Sequence, residues 1–416
     1  MATVHGTANG ELIQANDGDI VYGEDGNDTL VGASSGIFGA DLHGGKGDDS
    51  LLGSPFNDTL LGGGGHDTVS GGDGDDRVFW IDRGFEDGSP RDNLVDGGAG
   101  IDTFDFSRGY DPQMLASTWL NIDLSTGRAT TGFGAGLGGV VGAGSDTITG
   151  VENVIGSQSG DNIDGSSGAN WLEGQVGFDN IRGHEGNDTI FGDNSGSPNI
   201  DGGNSLSGDA GDDLVIGGSG VDTVMGGTGA DTLSDVSGSN YMRGEDGDDS
   251  LSGGSDFDDV HGNTGNDTER GGAGDDWVVG GQGNDLLYGD AGGDIVYGNL
   301  GNDTQFGGDG FDWVRGGQGN DSLDGGAGND WIWGDRGDDT VTGGYGADVF
   351  HIFTGGGLDQ VTDFHYEEGD RVVIDYGTYT VSQVGSDTVV DLGGGDRMVL
   401  VGVAASALPA GWISTL

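Results

Sequence analysis

The sequence has no cysteine, five prolines, a single lysine (Lys46) and only 13 lysine and arginine residues against 72 aspartates and glutamates. Without cysteine there is no disulfide scaffold and no thiol nucleophile, although the compartment is left open. A formal charge of −59 makes nucleic acid and anionic membrane surfaces poor partners. The first residues, MATVHGTANGELIQ, have no basic and then apolar stretch, so no cleavable signal peptide is visible. Residues 398–416 carry no charge, but Gly402, Ser406, Pro409 and Gly411 interrupt them. A membrane anchor is one reading of this tail. A final strand plus an export signal is preferred, and no membrane span is expected. The seven histidines are scattered, and His184-Glu185 lacks the second histidine of an HExxH zinc motif. GASSG at 32–36 matches the GxSxG nucleophile elbow only formally, since no strand-to-helix context surrounds it.

Glycine is abundant, at 97 residues. Without a period such a content would signal disorder. Here there is a period. Residues 208–351 divide into sixteen units of nine, with glycine at positions one and four, aspartate at six and an apolar residue at eight. GGAGDDWVV at 271–279, GGQGNDLLY at 280–288 and GNLGNDTQF at 298–306 show the pattern. Nine residues fit neither a helical turn nor a heptad. They fit a turn of six residues, whose glycines reach positive φ, followed by a strand of three. Position eight then faces inward, and positions seven and nine face outward. Two units make a flattened coil of eighteen residues.

This pattern resembles the calcium-binding nonapeptide repeat of the RTX family, GGxGxDxUx with U a large apolar residue. The resemblance implies an all-β protein, a parallel β-roll or right-handed β-solenoid with 18 residues per coil. It implies multiple Ca2+ ions as cofactor, and a bacterial, extracellular, secreted or cell-surface protein. It further implies a type I secretion exporter that reads an uncleaved C-terminal signal. A hard cation of this size takes six to eight oxygens from carboxylates and backbone carbonyls, which a glycine-rich turn carrying one aspartate presents.

The position-six residues that the resemblance makes metal ligands are Asp28, Asp49, Asp58, Asp67, Asp76 and Asp102 in the first part of the chain, followed by Asp161, Asp179 and Asp188. In the long array they are Asp213, Asp222, Asp231, Asp249, Asp258, Asp267, Asp276, Asp285, Asp294, Asp303, Asp312, Asp321, Asp330, Asp339 and Asp348. Asn170 and Asn240 replace aspartate in two units, and the unit holding Asn240 also lacks its opening glycine, which predicts a weak site. Adjacent coils lie ~4.8 Å apart. Neighbouring carboxylates at that spacing repel by roughly 0.9 kcal/mol even in water. One ion per gap in two rows of eight turns gives about fourteen ions, so calcium binding is expected to be coupled to folding.

The chain is expected to divide into an irregular N-terminal roll (1–105), a β-rich insert packed on the roll (106–155), a short repeat block with a loop (156–207), the main roll (208–351) and a cap (352–416). Residues 32–43 add three to the period and predict a bulging loop, residues 80–87 a short insertion, and 192–207, with Pro198, a further loop or offset. The cap alternates apolar and polar residues between glycine-rich turns. It is similar to the cap that follows RTX rolls in serralysin-like secreted proteases, notably at Asp359, Asp363-Phe364 and Gly369-Asp370.

Two further features stand out. Glu269 and Gln305 occupy inward position eight on one sheet, two coils apart with Leu287 between them. They predict either a locally loosened coil or a functional polar pocket. On the other sheet position seven reads Trp277, Ile295, Trp313, Trp331, Val349, and position nine adds Tyr297 and Trp333. That stripe is expected to be covered by the C-terminal segment or the insert, to pair with another protein, or to stack on the sugars of a surface polysaccharide. No cofactor site other than calcium and no catalytic residue is indicated. The non-repeat text is too short for a catalytic domain. The function expected is a secreted calcium-folded protein in a structural, matrix, surface-layer or adhesive role. The alternative is a non-catalytic subunit or module of an exoenzyme such as a protease, lipase or epimerase.

Overall fold

The computed structural model describes residues 2–79, 92–107, 118–135, 139–140, 144–193 and 202–416. The insertion expected at 80–87, and most of the loop expected around Pro198, lie outside them. The chain forms two compact units, Met1–Ala210 and Gly211–Leu416.

The second unit is a parallel roll. Strands alternate between two sheets, and each pairs with the strand eighteen residues on, so that Trp313 meets Trp331 and Leu323 meets Val341. The strands are longer than the expected three residues. Trp313–Gln318 spans six and Thr304–Gly310 seven. The reason is that the turn backbones also pair from coil to coil: Asn299 lies opposite Gly317, and Gly319 N–H donates to Arg336 O at 2.9 Å. The backbone of nearly the whole repeat is thereby satisfied, which a coil with so few side chains to bury requires.

Position eight points inward as the period demands. Val278, Val296, Val314, Leu323 and Ile332 are fully or almost fully buried. Each such side chain contributes roughly 1.5–3 kcal/mol by leaving water. Glu269 and Gln305 stand in the same file, registered through Leu287.

From 352 onward the roll closes on itself. Leu358–Val361 and Arg371–Ile374 continue the two sheets. Thr380–Val384, Asp387–Gly393 and Asp396–Leu400 form an antiparallel ribbon whose last strand returns beside Leu358–Val361. Ile413–Thr415 pairs with Arg371–Ile374. The roll core runs without a break from Val314 and Phe350 into Phe364, Val390, Leu400 and Trp412. This cap covers the end of the stack, where unpaired edges and apolar side chains would otherwise face solvent. Among the described residues no helix is long and apolar enough to cross a membrane.

The first unit is a roll of the same type with several irregularities, among them a step of 26 residues from Thr68 to Leu94 and one of 25 from Asn180 to Ser205. Ile20 pairs with Asp41, twenty-one residues on. The three extra residues form the expected loop, which Asp17 Oδ1 holds by accepting from Ile37 and Phe38 N–H at 2.9 and 2.8 Å. The insert does not pack on the roll as expected; it is built into one sheet. Gly144–Thr149 pairs in parallel with Leu94–Ala99, Arg128–Ala135 pairs antiparallel with Gly144–Thr149 and with Thr118–Asp123, and Thr118–Asp123 rejoins the parallel roll at Asn162–Asp164. In the other sheet Thr103–Asp105 simply continues into Asn153–Ile155 and then Trp171–Gln175. The chain therefore inserts its extra text as a hairpin that gains hydrogen bonds on both edges, and no separate core is needed.

Candidate metal centre

The geometry of one repeat, 298–306, accounts for its residue types. Asn299 at position two has φ 75° and Gly301 at position four φ 141°. The positive φ predicted for the turn thus falls at positions two and four. Non-glycine residues tolerate it at position two, as Glu24, His184, Asp290 and Asp335 also show. The opening glycine serves a different purpose, because it has no positive φ. A Cβ on Gly298 would stand 2.1 Å from Asp303 Oδ2 and 2.6 Å from Gly316 O. Side-chain and main-chain oxygen converge there on a space only glycine leaves open.

Asp303 links three coils. Its Oδ1 accepts from Asp285 N–H at 2.9 Å, and its own N–H donates to Asp321 Oδ1 at 2.8 Å. Its Oδ2 is buried and has no hydrogen-bond partner. The same ladder runs through both rows of the long array, from Asp231 to Asp249, Asp267 and Asp285 in one and from Asp258 to Asp276, Asp294 and Asp312 in the other. Oδ2 is likewise buried and unpartnered in Asp28, Asp49, Asp76, Asp102, Asp231, Asp249, Asp330, Asp339 and Asp348. A buried carboxylate oxygen with no donor is costly, and the same arrangement repeated along the stack suits a cation.

Burial sets the electrostatics. It pushes Asp49, Asp231, Asp258, Asp267, Asp294, Asp321 and Asp330 up to about 7, against the opposing effect of the backbone amide each accepts from. Neighbouring carboxylates of the ladder add to the rise. Glu269 is raised well above the carboxylate range by burial and then by Asp285, Asp267 and Asp303.

The predicted ligands do not all behave alike. Asp58 and Asp161 lie in the ladder but have both oxygens engaged. Ser54 N–H donates to Asp58 Oδ2 at 2.5 Å and Ser157 N–H to Asp161 Oδ2 at 2.6 Å, while each serine hydroxyl donates to Oδ1 at 2.9 Å. Ser166 caps Asn170 in the same way. In all three repeats serine occupies position two with no positive φ, so its amide turns back onto the carboxylate or amide oxygen. The rungs of Asp28, Asp49, Asp303 and Asp330, with positive φ at position two, leave Oδ2 open. Asp67, Asp179, Asp188, Asp213 and Asp222 occupy the same buried position. Asn240 keeps the ladder bond, accepting from Asp222 N–H at 2.9 Å, and turns its amide to Gly238 O at 3.0 Å, so it brings no charge.

The ladder also contains rungs that the sequence reading passed over. Asp19 accepts from Ala2 N–H and Asn93 from Asp67 N–H. Asp146 accepts from Asn93 N–H at 2.6 Å and Glu152 from Asp102 N–H at 2.9 Å. Asp370 in the cap accepts from Asp348 N–H at 3.0 Å through Oδ1 and from His365 N–H at 2.6 Å through Oδ2, ending its row. Asp359 is buried against Asp339; burial raises both, the Asp359 charge raises Asp339 further, and hydrogen bonding with Asp339 opposes the rise of Asp359. Asp19, Asn93 and Glu152 stand nine residues before Asp28, Asp102 and Asp161, at position six of the frame, a signal that was available.

Among the described residues no three His, Cys, Asp or Glu side chains gather into a metal-binding group. A cation between coils would therefore draw one carboxylate oxygen per turn and complete its shell from backbone carbonyls such as Gly316 O. That oxygen-only set suits calcium.

The tryptophan stripe is open. Trp277, Trp313 and Trp331 keep 48, 41 and 37 % of their surface exposed, so the expected cover is not found. Trp313 and Trp331 stack on each other with centroids 5.4 Å apart and planes 9° apart, and Trp333 stacks on His351 at 3.9 Å. Trp313 and Trp331 thus each give one ring face to the other. Arg315 pairs with Asp335 at 2.9 Å and lies over Tyr297.

The model of the RTX calcium-binding nonapeptide repeat matches residues 5–34, 43–78, 156–195, 200–233, 236–269, 270–305, 306–341 and 328–361, well over half of the chain. No curated protein matches. One solved structure with a similarity to this chain is the extracellular lipase LipA from Serratia marcescens, 16 % identical with a TM-score of 0.19. The match covers 88 % of this chain and 40 % of the lipase chain. A TM-score that low carries no argument about activity.

Proposed function

The chain belongs to the RTX calcium-binding nonapeptide-repeat family, and from that premise we propose that it is a secreted protein that stays unfolded where calcium is scarce and folds as a β-roll on calcium outside the cell. The observation that carries this reading is the repeated buried Oδ2 beside an opening glycine, seen from Asp28 to Asp348. The metal-free roll holds two rows of like charge in a narrow interior. Each calcium would neutralise two charges and satisfy oxygens that no protein donor reaches. The ligands are the open position-six aspartates, with Asp58 and Asp161 held by serine instead. Affinity per site is expected at roughly 10⁻⁴–10⁻³ M, the range of extracellular modules, sharpened by cooperativity along the stack. A chain of this kind could thread an exporter unfolded and be locked outside.

The role proposed is structural or adhesive, in a matrix or surface layer. It is supported by the insert, which is built into the roll, and by the 352–416 segment, which closes the stack. The final segment, with its strand Ile413–Thr415, would carry the export signal. Equilibrium dialysis at millimolar calcium tests the reading. It should give on the order of fourteen ions per chain, and a count of one or two would overturn it.

A further inference from the structure

Glu269 stands where the repeats of the long array, that of Gln305 apart, have an apolar side chain. It is 0 % exposed, and neither carboxylate oxygen has a hydrogen-bond partner. Among the described residues no basic side chain pairs with it. The Gly262 amide favours the charged form, against the effect of burial, but makes no hydrogen bond of good geometry to either oxygen. A buried carboxylate with nothing to satisfy it would ordinarily be replaced by leucine at small evolutionary and energetic cost, since Leu251 and Leu287 flank it in the same file.

Its direction gives the explanation. Gly262 opens the repeat that contains both Asp267 and Glu269. A Cβ on Gly262 would stand 2.2 Å from Asp267 Oδ2 and 2.4 Å from Glu269 Oε1. Two carboxylate oxygens, both without donors, therefore share the cradle that elsewhere receives one carboxylate and a carbonyl, as at Gly244, where the neighbours are Asp249 Oδ2 and Gly262 O. The Asp285 charge, on the next coil, adds to the electrostatic pressure on Glu269. Gln305 is a counterpart two coils away. Beside Asp303 Oδ2 it places its neutral amide over Gly298, with Nε2 2.4 Å from the Cβ point and donating weakly to Gly316 O at 3.4 Å.

We propose that Glu269 is an inner-sphere ligand reaching from the core into the Asp267 cradle, and that it makes this the tightest calcium site of the roll. The inference rests on the calcium reading above and adds to it a specific residue, since an inward position-eight side chain is not a ligand elsewhere in the repeat. A second carboxylate raises the charge facing the ion and completes a shell otherwise left to carbonyls and water. Such a site would hold its ion when others empty, and would fix one coil in register from which the neighbouring coils could order.

The experiment compares the full chain with Glu269→Gln, which keeps the shape and removes the charge, and Glu269→Leu, which restores the apolar repeat. Each folded, calcium-loaded protein is dialysed against a graded series of calcium buffers, and the calcium retained per chain is measured by elemental analysis together with the thermal midpoint. The wild type should retain one ion at a free calcium roughly tenfold below that which empties the rest. Both variants should lose that last ion, and Glu269→Leu should not gain stability in calcium. Equal retention in all three proteins, with a higher midpoint for Glu269→Leu, would overturn the inference while leaving the calcium reading intact. A wild type that retains no calcium at any concentration would overturn both.

Discussion

The backbone N–H of Asp303 donates to Oδ1 of Asp321, 2.8 Å away and one coil further along the roll, while Asp321 Oδ2 is buried without a partner. One carboxylate therefore has two separable tasks. Oδ1 ties coil to coil, and Oδ2 waits for a cation.

Asp321→Asn should separate them. Asparagine keeps an oxygen for Asp303 N–H, as Asn240 does for Asp222 N–H in its own rung. The variant should fold in saturating calcium but need more calcium to do so and bind fewer ions. Asp321→Ala should lose the coil-to-coil bond as well, at a further cost of about 1–3 kcal/mol for the stranded amide. Asp58→Asn should leave the ion count unchanged, because Ser54 already occupies both oxygens of Asp58. Isothermal titration of the three variants checks this ordering.

Gly301→Ala tests the close approach of successive turns. The added Cβ would meet Gly283 O at 1.3 Å, at a φ of 141° that an L residue rarely adopts. Relief requires the two coils to separate, so the cost should exceed about 3 kcal/mol. The calcium midpoint for folding should rise clearly. Asn299→Gly, one turn position earlier at φ 75°, should be neutral or slightly stabilising.

Protons should partly replace calcium. The ladder carboxylates are raised in the folded chain, Asp321 and Asp330 to about 7, against roughly 3.9 for an unfolded aspartate. The metal-free roll thus binds more protons than the unfolded chain. Its stability is greatest below about pH 4 and is lost as pH rises through 7. In excess chelator, acidification from pH 8 to pH 5 should raise the β signal. With calcium present the trend reverses, because the ligands must be ionised and the calcium midpoint should climb as pH falls. Circular dichroism across that range, with and without chelator, checks both signs.

Much of this was legible in the sequence. A nine-residue period with one apolar position fixes the coil, the inward file and the register, and the tryptophans of position seven line up as Trp277, Ile295, Trp313, Trp331 and Val349. The insert was not legible, because the partners of Thr118–Asp123 are 41 residues away and depend on hairpin pairing that no local pattern records. Glu152 keeps the repeat frame, nine residues before Asp161, but was lost in the surrounding irregular text, and Asp146 stands outside the frame. The serine caps were missed for a different reason. Whether an aspartate is open or closed depends on the φ of the residue four before it, and Ser54 and Gly45 differ there in a way that composition does not announce. The openness of the tryptophan stripe also had to come from the fold.

The most direct test of the central claim is far-UV circular dichroism of the purified chain during a calcium titration, with magnesium as control. A cooperative rise in β signal at sub-millimolar to millimolar calcium, absent with magnesium, is the predicted result. A full β signal at pH 8 in excess chelator would contradict the account, because the carboxylate ladders would then be tolerated without metal and the fold would rest on its narrow core alone.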